Sequence, residues 1–230
     1  MIKRILIIAI LILIVVIFLP FVKNIVLKDS LNSLSSDYIE TTSKDLKAAN
    51  IVTGVVVTFR GLDTLGEVTV LFIATAGVGF LLRRKHEKSG KVKKRPASEI
   101  LSTGASFLFP LVIFFGVYIF LHGHLTPGGG FQGGVIIASA FLLLLLSNIH
   151  FQFNHNILHW VESLSGAIYV LLGLLGLILL GSFLDPRFLP LGTLGKLLSA
   201  GAIPLIYSFI GLKVGSELSN ILDSLRGAEE

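Results

Sequence analysis

The feature that most constrains this chain is a set of apolar blocks, each about as long as a lipid bilayer is thick. A helix needs about 20 mostly apolar residues to cross the roughly 30 Å of hydrocarbon. Ile5–Val22 meets this without a single charge, interrupted only by Pro20 near its far end. Thr64–Leu82 is a second span, and Gly104–Leu121, Phe131–Ser147, Leu158–Leu184 and Gly195–Val214 supply four more. The expectation is an all-α integral membrane protein with about six transmembrane helices, multi-pass in the cell membrane, in contact with the lipid bilayer. Composition agrees: 14% of the 230 residues are charged, against about 25% in soluble domains. A soluble globule, a disordered chain and a fibrous repeat are excluded.

Charge is concentrated rather than spread. The net charge is +5, from 19 Lys and Arg against 14 Asp and Glu. Arg83–Arg95 (RRKHEKSGKVKKR) holds eight of those cations and one acid, +7, so the rest of the chain sums to −2. One cationic loop between apolar spans marks a cytoplasmic side; nothing in it resembles a nucleic-acid-reading element, and nucleic acid is not an expected partner. Lys3 and Arg4 fall on the same side if the first two spans both cross. Both termini are then cytoplasmic, with His122–Gly130 and Asp185–Thr193 outside. No small-residue cleavage site follows the first span, since Lys23 and Asn24 come next, so it reads as an uncleaved anchor. Lys23–Asn50 is expected to be a solvated loop with some helix. Ile51–Phe59 reads as an extended or interfacial segment, or else as an extension of the second span. The basic segment divides the chain into a two-span part, 1–95, and a four-span part, 96–230.

Three constellations could carry chemistry. Thr64 and Glu67, at the mouth of the second span, have capping-box spacing. Glu67 also suits a proton or ion path, because ionisable side chains in apolar spans are costly and often functional, and Arg60 and Asp63 adjoin it. Between the third and fourth spans lies His122-Gly-His124-Leu-Thr-Pro127-Gly128-Gly129-Gly130-Phe-Gln-Gly133-Gly134. Its glycines match a dinucleotide fingerprint only as a bare pattern, because no strand precedes them. Irregular backbone at this depth must be buried in protein or face water, which suggests a subunit-contact loop at Pro127, Gly128, Gly129, Gly130, Gly133 and Gly134. His122, His124, His155 and His159 read as interfacial, with a proton-relay role open for His122 or His124. Glu162 sits about one turn into the fifth span beside Trp160. It reads either as a carboxylate at headgroup depth or as part of an ion path, with small residues after it that admit a neighbouring helix. Pro204 is expected to kink the sixth span.

Zero cysteines exclude a disulfide framework, a Cys-ligated zinc site and a Cys-held iron–sulfur cluster on this chain. No Ser/His/Asp arrangement, P-loop or His-Glu-x-x-His motif occurs, so a non-catalytic chain with no metal and no cofactor is expected. With Glu67 and Glu162 as the only acids in the spans, an independent proton path is not expected.

The glycine-rich motif from Gly123 to Gly134, with Phe188–Gly192, Leu198–Leu205 and Ile210–Gly215, resembles the MnhB family, one of the membrane components of Mrp-type sodium/proton antiporters; the resemblance covers Ile100–Leu218. Val55–Val70, with Arg60-Gly61-Leu62-Asp63-Thr64-Leu65-Gly66-Glu67, is similar to the C-terminal extension of the large component of the same antiporters. Both pieces on one chain, without the many-helix body of that large component, resemble the Mrp-like modules of archaeal membrane-bound hydrogenase and its sulfur-reducing relatives. The resemblance implies sodium/proton exchange by a whole assembly. The implied partners are other Mrp-type antiporter subunits and hydrogenase-like or sulfur-reductase-like redox subunits. It places Asp63 and Glu67 at acidic positions of the C-terminal extension, and His124 with Gly128–Gly130 in the MnhB loop. Taken with the residues read above, the expected ion path is Arg60, Asp63, Glu67, His124 and Glu162. The other reading is a purely structural membrane-assembly role in which the chain moves no ion.

Overall fold

Lipid leaves backbone groups no water to bond, so spanning segments close their hydrogen bonds internally. The structure, a computed structural model that describes residues 2–23, 31–83 and 97–229, follows that rule with helices and no strand among those residues. The helices are α1 (Ile2–Lys23), α2 (Ser33–Lys44), α3 (Ile51–Thr53), α4 (Gly61–Arg83), α5 (Glu99–Leu121), α6 (Gly130–Ser147), α7 (His155–Leu180) and α8 (Ile203–Glu229). Five of them, α1 and α4 to α7, are long and apolar enough to cross a membrane. The basic stretch that sets the expected orientation falls, from residue 84 onward, outside the described residues.

Two compact units divide the chain, Met1–Ser36 and Asp37–Glu230. In the first, α1 is exposed along its described side chains, an apolar rod. In the second, α8 is the axis. It packs against α4, α5, α6 and α7, and its Ile203, Ile206, Tyr207, Ile210 and Val214 are among the most buried side chains.

Several boundaries differ from expectation. The sixth expected span, Gly195–Val214, is not one helix: residues 194–202 form turns and bends, and α8 starts at Ile203. Pro204 therefore lies in the first turn, where its missing N–H is no loss and its fixed φ suits the helix. It does not kink a mid-span. The count of six is likewise not met by apolarity alone, because Lys213, Ser216, Glu217, Ser219 and Asn220 interrupt the apolar run of α8. Ile51–Phe59 is not extended. It is a helical turn followed by a π-helical turn, Gly54–Phe59, broken from α4 only at Arg60, which agrees with the helix-extension reading. The capping box fails too. Thr64 is inside α4, and its hydroxyl donates to the Val56 carbonyl at 2.7 Å rather than accepting from a first-turn amide.

Other helix ends follow local chemistry. Ser98 caps α5 through Leu101 N–H at 3.2 Å, and Asn154 caps α7 through Ile157 N–H at 3.3 Å. Gly181, left-handed, ends α7 and returns its N–H to Leu177.

Candidate functional site

One end of the larger unit is held by neutral hydrogen bonds that converge on the glycine-rich loop. Asn50 donates its side-chain amide to the carbonyls of Gly123 (2.8 Å) and Thr126 (3.0 Å), and its backbone N–H to His124 O (3.0 Å). Thr53 donates to Gly123 O at 2.6 Å and accepts from Tyr207 OH at 3.1 Å. The segment before α4 thus clamps the α5–α6 connection, and α8 closes the clamp from beneath. Residues 185–202 share this end through His124 Nε2, 3.4 Å from Lys196 O.

The loop glycines serve this chain's own packing. Gly129 has φ +151°, and a Cβ on Gly130 would meet the Ile210 side chain at 2.6 Å and Tyr207 O at 2.8 Å. Gly129, Gly130, Gly133 and Gly134 are not solvent-facing, and Pro127 remains exposed. His124 is enclosed by protein and does not face solvent. It is fully buried with Nδ1 unpartnered among the described residues, and burial holds its imidazole below the usual titration range. His122 is half-buried, stacked on Tyr118 with centroids 4.1 Å apart.

Below that clamp the polar groups become ionisable. Lys213 lies ten residues into α8, roughly 15 Å along its axis, and donates to Glu217 Oε1 at 2.6 Å. Both side chains are buried, Glu217 completely. Lys before Glu at this spacing is the less favourable order for an isolated helix, so helix propagation does not explain the pair. Lys213 Nζ also sits 5.2 Å from the Phe72 ring of α4, and the lack of a side chain at Gly166 of α7 leaves room for its stem. A cavity of about 620 Å³ opens beside it between α4 and α7, lined by Leu65, Phe72, Ala167, Val170 and Glu162 among others.

From Lys213 the stripe runs along α8 to its far end at helical spacing: Glu217, Asn220 and Asp223. Asn220 donates to Glu162 Oε2 at 2.8 Å, and His159 Nδ1 lies 3.8 Å from the same oxygen. His155 Nε2 stands 3.4 Å from Asp223 Oδ2, and Arg226 donates to the Phe151 and Ile149 carbonyls. Two buried polar atoms beside this stripe have no partner among the described residues, Glu217 Oε2 and Tyr169 OH.

The expected site residues therefore divide. Glu162 is turned inward to α8 and 9% exposed. Glu67 is exposed on α4, one helix away. Arg60 and Asp63 pair with each other at 2.5 Å on the surface, more than half exposed, and His124 lies at the clamp, away from Glu162. Sequence reasoning missed Lys213 and Glu217. Ending the last apolar run at Val214 leaves Glu217, buried in the same helix as Lys213, out of the reckoning. The signal was available as charged and amide residues recurring every three or four positions from 213 to 223.

Residues 100–220 match a family described as a domain related to the MnhB subunit of Na+/H+ antiporter. The chain belongs to this MnhB-related family. Residues 2–99, ahead of the MnhB domain, match a second family, MbhE of MBH. A chain of the membrane-bound sulfane sulfur reductase, an archaeal respiratory membrane complex, superposes with TM-score 0.82 at 42% identity over 98% of both chains. A chain of the Mrp complex from Dietzia sp. DQ12-45-1b shares the MnhB-type fold at TM-score 0.75 and 23% identity, over 97% of this chain and 26% of that one. Uncharacterized protein MJ1307 of Methanocaldococcus jannaschii is 32% identical over 194 residues, 74% of each sequence. The protein is a multi-pass, MnhB-type membrane subunit with its full-length counterpart in a respiratory complex.

Proposed function

We propose that this chain is a non-catalytic component of a Mrp-type sodium/proton antiporter module, seated in the cell membrane within a respiratory complex. It holds other antiporter subunits in register with hydrogenase-like or sulfur-reductase-like redox subunits. The observation that carries this reading is the end-to-end correspondence with a chain of the sulfane sulfur reductase complex. In the same reading α8 is the sixth span, because four helices shield its charges from lipid. Both termini are then cytoplasmic. The chain is a fusion in which 1–95 stands for the MbhE-like piece and 96–230 for the MnhB-like one. Within it Glu162 and Glu67 serve the ion path, and Arg60, Asp63 and His124 hold the entry segment and loop. Pro127, exposed beside glycines packed inward in the same loop, is the point at which a neighbouring subunit touches it.

The test is purification of the tagged full chain in mild detergent with mass identification of what accompanies it. Antiporter subunits together with redox subunits are expected. A chain that purifies alone would overturn the assignment.

A further inference from the structure

We infer that Lys213, Glu217 and Glu162 form a proton-loading site at mid-depth, reached from the bundle end that carries His155 and Asp223. The inference deepens the antiporter reading and rests on it for the use to which the proton is put.

The first argument is charge. With all three groups ionised the site holds one cation and two anions, a net −1, largely out of water. An uncompensated charge in such surroundings is strongly disfavoured. One added proton brings the site to neutrality. The second argument is the unfilled acceptor. Glu217 offers Lys213 one oxygen and leaves Oε2 buried without a hydrogen-bond donor among the described residues. A proton on that oxygen removes the uncompensated charge there, and a proton on Glu162 instead brings the site as a whole to neutrality. Tyr169 OH, equally buried and unpartnered, lines the same cavity as Lys213 and Glu162.

The donor set favours a proton over a sodium ion. The oxygens nearest the centre already accept from nitrogen donors, Lys213 Nζ on Glu217 and Asn220 Nδ2 on Glu162, and hard cations need several free oxygen ligands. The route inward is equally specific. His155 with Asp223, then His159 with Glu162, step from the exposed end to the buried carboxylate, and imidazoles exchange protons near neutral pH. Of the other charged groups on the packed helices, Glu67 is exposed on α4 and Arg226, at the far end of α8, donates to loop carbonyls.

The experiment uses the complex purified through the full chain. Infrared difference spectroscopy on that preparation should show the C=O stretch of a protonated carboxyl in the resting state, lost or shifted in Glu162→Gln or Glu217→Gln. In vesicles, sodium-gradient-driven proton uptake should fall at least tenfold in Glu217→Gln. If that variant fails to assemble, the pair replacement Lys213→Met with Glu217→Met removes both charges together, and it should assemble and lose proton uptake. Absence of a protonated-carboxyl band, a band indifferent to both glutamine variants, or uptake at the original rate in any of these variants overturns the site. Loss of the band on adding sodium at fixed pH would make it a sodium site and overturn it too. The infrared band does not depend on which partners co-purify, so failure of the antiporter assignment would be seen separately.

Discussion

The two ends of the larger unit solve the problem of buried polarity in opposite ways. At the clamp, Asn50, Thr53 and Tyr207 use neutral amide and hydroxyl groups, which donate to carbonyls or to each other. Along the lower half of α8, Lys213, Glu217, Asn220 and Asp223 meet Glu162, His159 and His155 through side chains that, Asn220 apart, can carry charge. Neutral bonds hold a shape with a modest net effect on stability. Charged ones cost desolvation that an apolar core would avoid. The clamp is where polarity serves architecture, and the stripe is where the chain keeps polarity that architecture alone does not require.

Substitutions can break this contrast. Lys213→Ala should have the largest effect, about 3–5 kcal/mol of stability, because Glu217 would remain buried and unpaired; thermal unfolding in detergent measures it. If the loss is below about 1 kcal/mol, the pair is not desolvated as described. Thr53→Val, nearly the same shape, should cost about 1–3 kcal/mol by stranding Tyr207 OH and removing one bond to Gly123 O. It should leave proton movement through the assembled complex unchanged, which separates the two ends. The smallest effect should come from His124. Its folded titration point lies below that of the unfolded chain, near pH 6.5. The unfolded state therefore binds the extra proton first, and stability should decline as pH falls below about 6.5. A His124→Gln variant should flatten that slope, and unfolding midpoints across pH test it.

What can be read from sequence follows from what lipid enforces. α1, α4, α5, α6 and α7 announce themselves because a helix facing hydrocarbon must be apolar over its whole length. α8 is enclosed by its neighbours, so its boundaries cannot be drawn from hydropathy. The same error displaces Pro204 to mid-span and Glu217 to the exterior. The glycine-rich loop is legible as tight packing, yet its contacts lie in this chain, at Ile210 and Tyr207. Thr64 and Glu67 have the right spacing for a cap. The preceding π-helical turn supplies Val56 O instead, and no local pattern in Ile51–Phe59 signals a π turn. Glu162 is ambiguous in sequence, and only its neighbour Asn220, 58 positions away, decides it.

The cradle that four helices make for α8 has a consequence for how the protein is made. A segment carrying a lysine and a glutamate near its centre partitions poorly into bilayer when it emerges by itself, at roughly 2.5–3.5 kcal/mol for a central lysine. Its companions α4 to α7 precede it in translation order. With α8 as the proposed sixth span, they must already be gathered when it arrives, and its integration is a docking event rather than an independent insertion.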